Sequence, residues 1–344
     1  MRGHGDFSQL ELADVAKPAV LHDGDVRIKL AAAALNHLDL WTLRGLPGLE
    51  LSLPHILGGD GAGVVDEVGS AVTTVRPADR VMINPGISCY KCDQCIAGEH
   101  SLCDTYRLLG EHIPGTLAEY IVVPEQNVAV IPVPPAPHPK ISWAEAAAYS
   151  LVTLTAWRML MGRAKLRAGE SVFIWGAGGG VAGVALKIAK LVGAFAIVTS
   201  SSDEKLAAAK AAGADATINR QRSDVVKEVR KLTRKRGVDV VVENVGEETW
   251  EDSVRMLAKA GRLVTCGGTT GHKLVTDVRR LFWYQFSILG STMGNAREYR
   301  EIIGLLGQGH LRPTVDCTFQ LEDGVAAFER LQRGAQMGKV VVEI

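Results

Sequence analysis

From Ser171 onward one pattern repeats: a short apolar run, a turn, then an amphipathic stretch. Ser171–Trp175, Phe195–Thr199, Val238–Asn244 and Arg262–Cys266 read as strands, with a further strand-like segment at Ala216–Ile218. Helix-like stretches lie between them. They are Val181–Leu191, one opened by the capping box Ser201-Ser-Asp-Glu204 and stopped by Gly213, a basic run Lys227–Arg236 ending at Gly237, and Trp250–Lys259 before Gly261. Strands that are apolar throughout must be covered on both faces, and helices returning between them impose parallel pairing. The expected fold class is α/β, built on a doubly wound parallel sheet.

The turn after the first of these strands is Trp175-Gly-Ala-Gly-Gly-Gly-Val-Ala-Gly183. Glycine lets a backbone turn tightly and approach a pyrophosphate, whose charge the N–H groups of the following helix bind. Gly176, Gly178, Gly179, Gly180 and Val181 are therefore expected to bind a dinucleotide. Asn244, ending the Val238–Asn244 strand, is a further candidate. An acidic residue ending the second strand would accept hydrogen bonds from ribose hydroxyls and repel a 2′-phosphate. This chain has Thr199-Ser-Ser-Ser202 there, with Lys205 one turn on and Arg220 after the next strand. Hydroxyls at Ser200 and Ser201 with two cations suit a phosphate, so the expected cofactor is NADP(H). The serines can also cap the helix.

The first part of the chain reads differently. Val26–Leu30, Gly63–Val65, Arg80–Ile83, Tyr120–Val123 and Val128–Ile131 are short β-like runs punctuated by Gly and Pro, as in a small all-β barrel. A proline-rich joint, Pro132–Pro139, leads into the capping box Ser142-Trp-Ala-Glu145 and a long Ala-rich helix. The tail carries helix-like runs at Ala296–Leu306 and Asp323–Arg333 and a strand at Lys339–Ile344, expected to close against the first domain. Two domains suit a length of 344 residues. The expected division is 1–150, completed by 291–344, and 151–290.

Lys plus Arg and Asp plus Glu balance at 38 each, so no global field favours nucleic acid or an anionic membrane. The basic run is read as a solvated helix face. No apolar stretch is long enough to cross a bilayer, and Met1–Asp6 lacks the order of a secretory signal, so the expected location is the cytoplasm.

Four of the six cysteines, Cys89, Cys92, Cys95 and Cys103, fall within fifteen residues in the spacing Cys-x2-Cys-x2-Cys-x7-Cys. Thiolates so spaced reach a common tetrahedral ion, and four of them fill it. The expectation is one structural zinc that holds a loop and leaves no open position for chemistry. Disulfides are disfavoured in cytosol. A zinc ribbon can also bind nucleic acid, but Asp93, Glu99 and Asp104 beside only Lys91 and Arg107 make no basic groove. Cys266 and Cys317 are read as buried small residues.

Taken together, Ala34-Leu-Asn-His-Leu-Asp39, Gly58-Gly-Asp-Gly-Ala-Gly63, the cysteine lobe, Gly115-Thr-Leu-Ala-Glu-Tyr120, Leu154-Thr-Ala-Trp157, the glycine turn and Ile288-Leu-Gly-Ser-Thr-Met-Gly294 resemble the medium-chain dehydrogenase/reductase superfamily. That resemblance covers nearly the whole chain. It implies a GroES-like β-barrel domain plus a Rossmann domain. It also implies a homodimer or homotetramer, joined through edge strands around Phe286–Ser291. The first strand of the family is missing or very short. Zinc alcohol dehydrogenases of this superfamily place a Cys where this chain has Asn36, a His where it has Gly59, and a third ligand near Leu151. Asn36 and Asp39 instead resemble the zinc-free quinone and enoyl reductase branch.

A catalytic zinc polarises an alcohol or carbonyl oxygen. Without one, hydride addition to an enone, an enoyl thioester or a quinone stays accessible. Expected roles are a hydrogen bond from Asn36 to the developing enolate and a second bond or the proton from His37. The resemblance places Thr155 near the nicotinamide, and Trp41 is a candidate for shaping the pocket. One alternative is zinc-dependent alcohol or aldehyde chemistry with His37, Asp39, His55 and Asp60 as unusual ligands, although Asp39 also reads as a structural acceptor and His55 as surface. Another is an NADPH-binding module without turnover.

Overall fold

The computed structural model describes residues 1–20 and 22–344. It divides into two compact units, Met1–Val152 with Gly294–Ile344, and Thr153–Met293.

In the first unit, Asp25–Ala34 is the central strand. Its alternate residues Val26, Ile28 and Leu30 point inward and are buried. They pack against Val65, Val81, Ile83, Ile121 and Val123, forming the apolar interior that period-two patterning requires. The strand pairs antiparallel with Asp60–Val68, with Tyr120–Pro124 and with the C-terminal strand Lys339–Glu343. Lys339–Glu343 pairs in parallel with Val315–Gln320, which the sequence reading did not find. The two ends of the chain thus share one seven-stranded sheet. Before Asp25, the described residues hold a 3₁₀ turn, Phe7–Gln9, and no strand.

The expected long helix from Ser142 is interrupted. Ser142 caps Trp143–Ala147 with the predicted reciprocal bond to Glu145, but the chain breaks at Ala148 and restarts as Ser150–Trp157. The Asp60 carboxylate accepts the Leu151 N–H at 2.8 Å, supplying a donor at the new helix start with the partner it would lack. A π-helical turn, Arg158–Arg163, follows.

The second unit is a six-stranded parallel sheet. Its spatial order is Ala216–Asn219, Phe195–Ser200, Ser171–Ile174, Val238–Glu243, Leu257–Thr265, Ser287–Gly290. In chain order this is 3-2-1-4-5-6, which places the point where the strand order reverses between Ser171–Ile174 and Val238–Glu243. Phe173, Ile197, Val241 and Leu263 build the core on one side of the sheet, with Val225, Val229 and Trp250 from the helices above. Among the described residues no helix is long and apolar enough to cross a membrane.

Four local expectations need correction. The helix after Phe195–Ser200 is capped by Ser202 rather than Ser201, because it is the Ser202 hydroxyl that accepts the Lys205 N–H. The basic helix is Val225–Leu232 and ends before Gly237, since Arg234 and Lys235 take positive φ. Arg230 in that run is not a solvated side chain: it donates to the carbonyls of Lys235, Arg255 and Leu257. The helix from Trp250 ends at Met256, because Leu257 turns extended to pair with Val238.

Candidate functional site

In the second unit the glycine turn leaves the Ser171–Ile174 strand at its carboxyl end. Gly176 has φ +80°, a left-handed conformation that a side chain disfavours. Gly179 caps the helix Gly180–Val192, and a Cβ added at Gly176, Gly179 or Gly183 would meet nothing within 4 Å. Gly178 and Val181 lie on the same turn and first helical residues. Across the switch point, Asn244 ends the neighbouring strand, and its side-chain Oδ1 is buried without a hydrogen-bond partner. A buried orphan acceptor costs free energy unless something donates to it. Open glycines and an orphaned amide on either side of the switch point fit a dinucleotide.

One residue earlier, Glu243 is wholly buried and accepts from the N–H groups of Val245 and Gly246 and the hydroxyls of Thr249 and Ser253. Ser253 in turn accepts from the Trp175 indole at 2.6 Å. This network ties the loop beyond Asn244 to the strand that precedes the glycine turn. Its acceptor role was not legible in the strand pattern.

At the end of the second strand, Ser200 is buried and its hydroxyl accepts the Ser202 N–H. Arg220 donates its backbone N–H to the Ser200 carbonyl at 3.0 Å, so the strand register brings an exposed arginine beside Ser200 and Ser201. Lys205 stands on the first turn of the next helix. A carboxylate is close by in sequence, Asp203, but Arg222 and Asn219 hold it. Thr155 is buried in the Ser150–Trp157 helix and contacts the Met293 sulfur at 3.6 Å.

In the first unit the four thiols of the cysteine lobe converge, with all Sγ atoms within 4.8 Å of one another. Four thiolates on one zinc stand about 3.8 Å apart at a Zn–S distance of about 2.3 Å, so the set fits that ion with little adjustment. Burial opposes ionisation of Cys103, but the Cys89 N–H and Thr105 outweigh it and hold its thiol at about 6. These same donors would steady the thiolate under a metal. Cys266 and Cys317 are half-buried rather than buried.

The remaining expected residues gather around the start of helix His37–Arg44. Asp39 is buried, and its two carboxylate oxygens accept the N–H groups of Asn36 at 2.7 Å and Gly58 at 2.9 Å. Burial raises its pKa to about 6 against the pull of those two bonds. Gly58 has φ +100°, and a Cβ there would lie 2.6 Å from the Thr116 hydroxyl. His37 is exposed, with its pKa lowered by the protein packed around its base and by the charges of Lys339 and Arg44. Trp41 lies 6.4 Å from it, ring centre to ring centre. His55 is buried and bonds to the Gly110 carbonyl at 3.2 Å, so it is not a surface residue.

Asn36, Gly59 and Leu151 converge. A Cβ at Gly59 would lie 3.2 Å from a Leu151 methyl and 4.0 Å from the Asn36 amide nitrogen. The residue that fills this neighbourhood is one the sequence reading named only as the start of a strand: Lys339, 4% exposed. Its ammonium donates to Asn36 Oδ1 and, at 3.0 Å, to Asp60 Oδ2. The amide nitrogen of Asn36 donates to the same Asp60 oxygen at 3.0 Å and to the Ala34 carbonyl at 3.3 Å. Both amide hydrogens are thus engaged, which leaves no free donor for the enolate bond expected of Asn36. Among the described residues only the cysteine lobe brings together three or more metal-binding groups. His37, Asp39, His55 and Asp60 do not form such a set. A lysine in the run Lys339-Val-Val-Val342, otherwise apolar, was the available signal of a buried charge.

Comparison with known proteins matches residues 22–135 to the alcohol dehydrogenase GroES-like domain and 180–308 to the zinc-binding dehydrogenase domain. A NAD-dependent alcohol dehydrogenase of Sulfolobus acidocaldarius is 32% identical over 99% of this chain and 97% of its own. A crotonyl-CoA reductase of Streptomyces avermitilis is 31% identical over 97% of this chain and 81% of its own. A crystal structure of a NAD-dependent alcohol dehydrogenase superposes with a TM-score of 0.94 at 42% identity, covering 100% of this chain and 98% of the other.

Proposed function

The chain belongs to the medium-chain dehydrogenase/reductase superfamily of oxidoreductases, and from that premise we propose that it is an NADPH-dependent reductase of activated C=C bonds or quinones that works without a catalytic zinc. The observation that carries this reading is the donor set at the three converging positions. Glycine and leucine offer a metal nothing, the Asn36 amide is spent, and an ammonium stands beside them. A cation already bonded to Asp60 and Asn36 repels a second cation. The four-thiol lobe, by contrast, suits one structural zinc.

Bound NADPH supplies the hydride. The open turn at Gly176–Val181 and the orphaned Asn244 amide are the chain's groups for holding it, with Thr155 toward the nicotinamide. Ser200, Ser201, Lys205 and Arg220 suit the 2′-phosphate, and the one nearby carboxylate, Asp203, is neutralised by Arg222. The relatives named NAD-dependent favour the other nucleotide, and comparison of the two in one assay decides. His37, exposed and with its proton loosely held, suits delivery of a proton to the carbanion end of an enolate. An enoyl thioester is the favoured acceptor within the class, because the crotonyl-CoA reductase relative spans nearly all of this chain.

Ser287–Gly290 is an edge strand, with Phe282, Trp283 and Val278 exposed on the preceding helix. An open edge beside large apolar side chains supports self-association through this face. Sedimentation of the intact protein tests it.

The experiment for the central reading is NADPH oxidation by chelator-washed protein with an enone, an enoyl thioester and a quinone. Alcohols with NADP+ or NAD+ run in parallel. Turnover with the first group alone supports the proposal; turnover with alcohols alone overturns it.

A further inference from the structure

The basic run Lys227–Arg236 takes no part in the dinucleotide turn or the cysteine lobe. In the structure its second half lines a cavity of about 380 Å³ within the second unit, where Arg230, Lys235 and Arg236 are joined by Lys259 and Arg280. None of the nine lining residues is acidic. Asp239 neutralises Arg236, and the other four cations have no acidic partner among the described residues. An arginine in the last turn of a helix can serve only to bond the final carbonyls. Arg230 does this, donating to Lys235, Arg255 and Leu257. Arg280 does not. Its Nε is buried without a hydrogen-bond partner among the described residues, and its guanidinium carbon lies 5.8 Å from the Tyr284 ring centre. Burial loosens the hold of Arg230 on its proton and the charge of Arg280 loosens it further, which marks two like charges in one neighbourhood. A buried charged donor without an acceptor is costly, and a like charge beside it adds to the cost. An anion would relieve both.

The cavity lies where three neighbouring parallel strands begin. Val238, Leu257 and Ser287 open those strands, and Arg236, Leu257 and Phe286 line the cavity at or just before the openings. The glycine turn and Asn244 follow the opposite ends of the sheet, a strand of six residues or roughly 20 Å away. We propose that this cavity is an anion site separate from the dinucleotide turn, and that it takes a diphosphate group, free or as an ester. The cations come from three directions: the helix Val225–Leu232 with its trailing turn, the start of Leu257–Thr265, and the helix Val278–Trp283. Donors so placed can each meet a different phosphate oxygen. Four cations exceed what a single phosphate needs, and a diphosphate brings more charge and more acceptor oxygens. Tyr284 and Phe286, stacked with ring centres 5.5 Å apart, add an aromatic wall against which an esterified group can rest. Charge that lines a cavity rather than a ridge suits a small anion over a nucleic-acid backbone. The turns around the site are also held. Lys235, Ala260 and Gln285 take positive φ, and the Tyr284 carbonyl accepts the Ala260 N–H at 2.8 Å. Side chains rarely adopt that conformation unless their surroundings fix it, so the walls are set before a ligand arrives. The site stands independently of the reductase reading.

The test is calorimetric titration of the full-length protein with inorganic pyrophosphate, ADP and orthophosphate. Reduced nucleotide, NADPH or NADH, is held at saturation so that the dinucleotide turn is filled, and its fluorescence reports any displacement. The wild type is expected to bind one pyrophosphate or ADP per chain with the nucleotide fluorescence unchanged, and orthophosphate at least ~10-fold more weakly. Tighter binding of ADP than of pyrophosphate assigns the site to an ester, and equal binding to the free diphosphate; both support the proposal. Arg280→Gln should weaken binding at least ~10-fold, the loss of one charge-assisted contact. Lys227→Gln, on the same basic helix but outside the cavity, should stay within about twofold of wild type. Melting checks that each variant folds. If Arg280→Gln does not, Lys235→Gln with Lys259→Gln, both exposed, takes its place with the same expected loss. No saturable binding to the nucleotide-filled wild type overturns the proposal. Orthophosphate binding as tightly as pyrophosphate, or Lys227→Gln weakening binding as much as Arg280→Gln, overturns it equally. Because the readout is binding, failure to reduce any activated acceptor would sink the reductase reading and leave this result standing.

Discussion

Replacing Lys339 by Met, Asp60 by Asn, or both, separates the stability of their pair from its chemistry. The ammonium and carboxylate are 3.0 Å apart with side chains 4% and 0% exposed, so solvent screens them little. At an effective dielectric of about 20, charges at that separation attract by roughly 5 kcal/mol. Most of this offsets the cost of desolvating them, so the pair itself contributes little net stability. Each single replacement, by contrast, strands one buried charge and is expected to cost about 3–5 kcal/mol. Asp60→Asn also turns an amide donor toward the ammonium. The double replacement removes both charges, and Asn36 can then rotate its amide so that its oxygen accepts from the amide introduced at position 60. Its expected cost is at most about 2 kcal/mol, which implies a coupling of at least ~4 kcal/mol between the two sites. In a unit of about 200 residues the single variants should lower its calorimetric transition by about 10 °C, and the double variant by less than about 5 °C. Additive losses across the cycle, or single losses below about 1 kcal/mol, would refute the description of these groups as a buried and mutually dependent pair.

Arg220→Ala should raise KM for NADPH by roughly tenfold while leaving that for NADH within about twofold, as expected for one exposed contact to a 2′-phosphate; equal effects on the two nucleotides would remove Arg220 from that role. Asp39 has a folded pKa of about 6, above the ordinary carboxylate value of 3.8. A raised folded pKa means the native state binds the proton more tightly, so this contribution is full below pH ~4 and lost as pH rises through ~6, on the order of 3 kcal/mol in all. Asp39→Asn should be less stable than wild type, having lost an acceptor for one backbone N–H, and should flatten the wild-type dependence of stability on pH between 4 and 6. An unchanged slope in urea unfolding across that window would count against the assignment.

The features most legible in the sequence were those whose chemistry is local. The glycine turn needs a strand before it and a helix after it, all within thirty residues. The four thiols need only short spacings to meet on one ion. Illegible were the contacts made across long stretches of chain. Lys339 meets Asp60 across 279 positions, and a strand pattern cannot say which buried residue a C-terminal lysine will face. The break in the helix after Ser142 has the same origin, because the carboxylate that receives the Leu151 N–H comes from 91 positions upstream. Ser202 rather than Ser201 as the cap was a choice between two adjacent hydroxyls that composition cannot make. Asn36 was identified as a residue of interest for its amide donors, but burial spent those donors on Ala34 and Asp60. Position was readable there; function had to wait for the partners.

The zinc content of chelator-washed protein, measured per chain by elemental analysis, tests the central claim most directly. The account predicts one zinc, lost from Cys103→Ser and retained in the Lys339→Met, Asp60→Asn double variant, in a wild-type preparation that reduces activated acceptors with NADPH. Two tightly held zincs per chain in the wild type would contradict it, and would place a metal where the structure puts an ammonium.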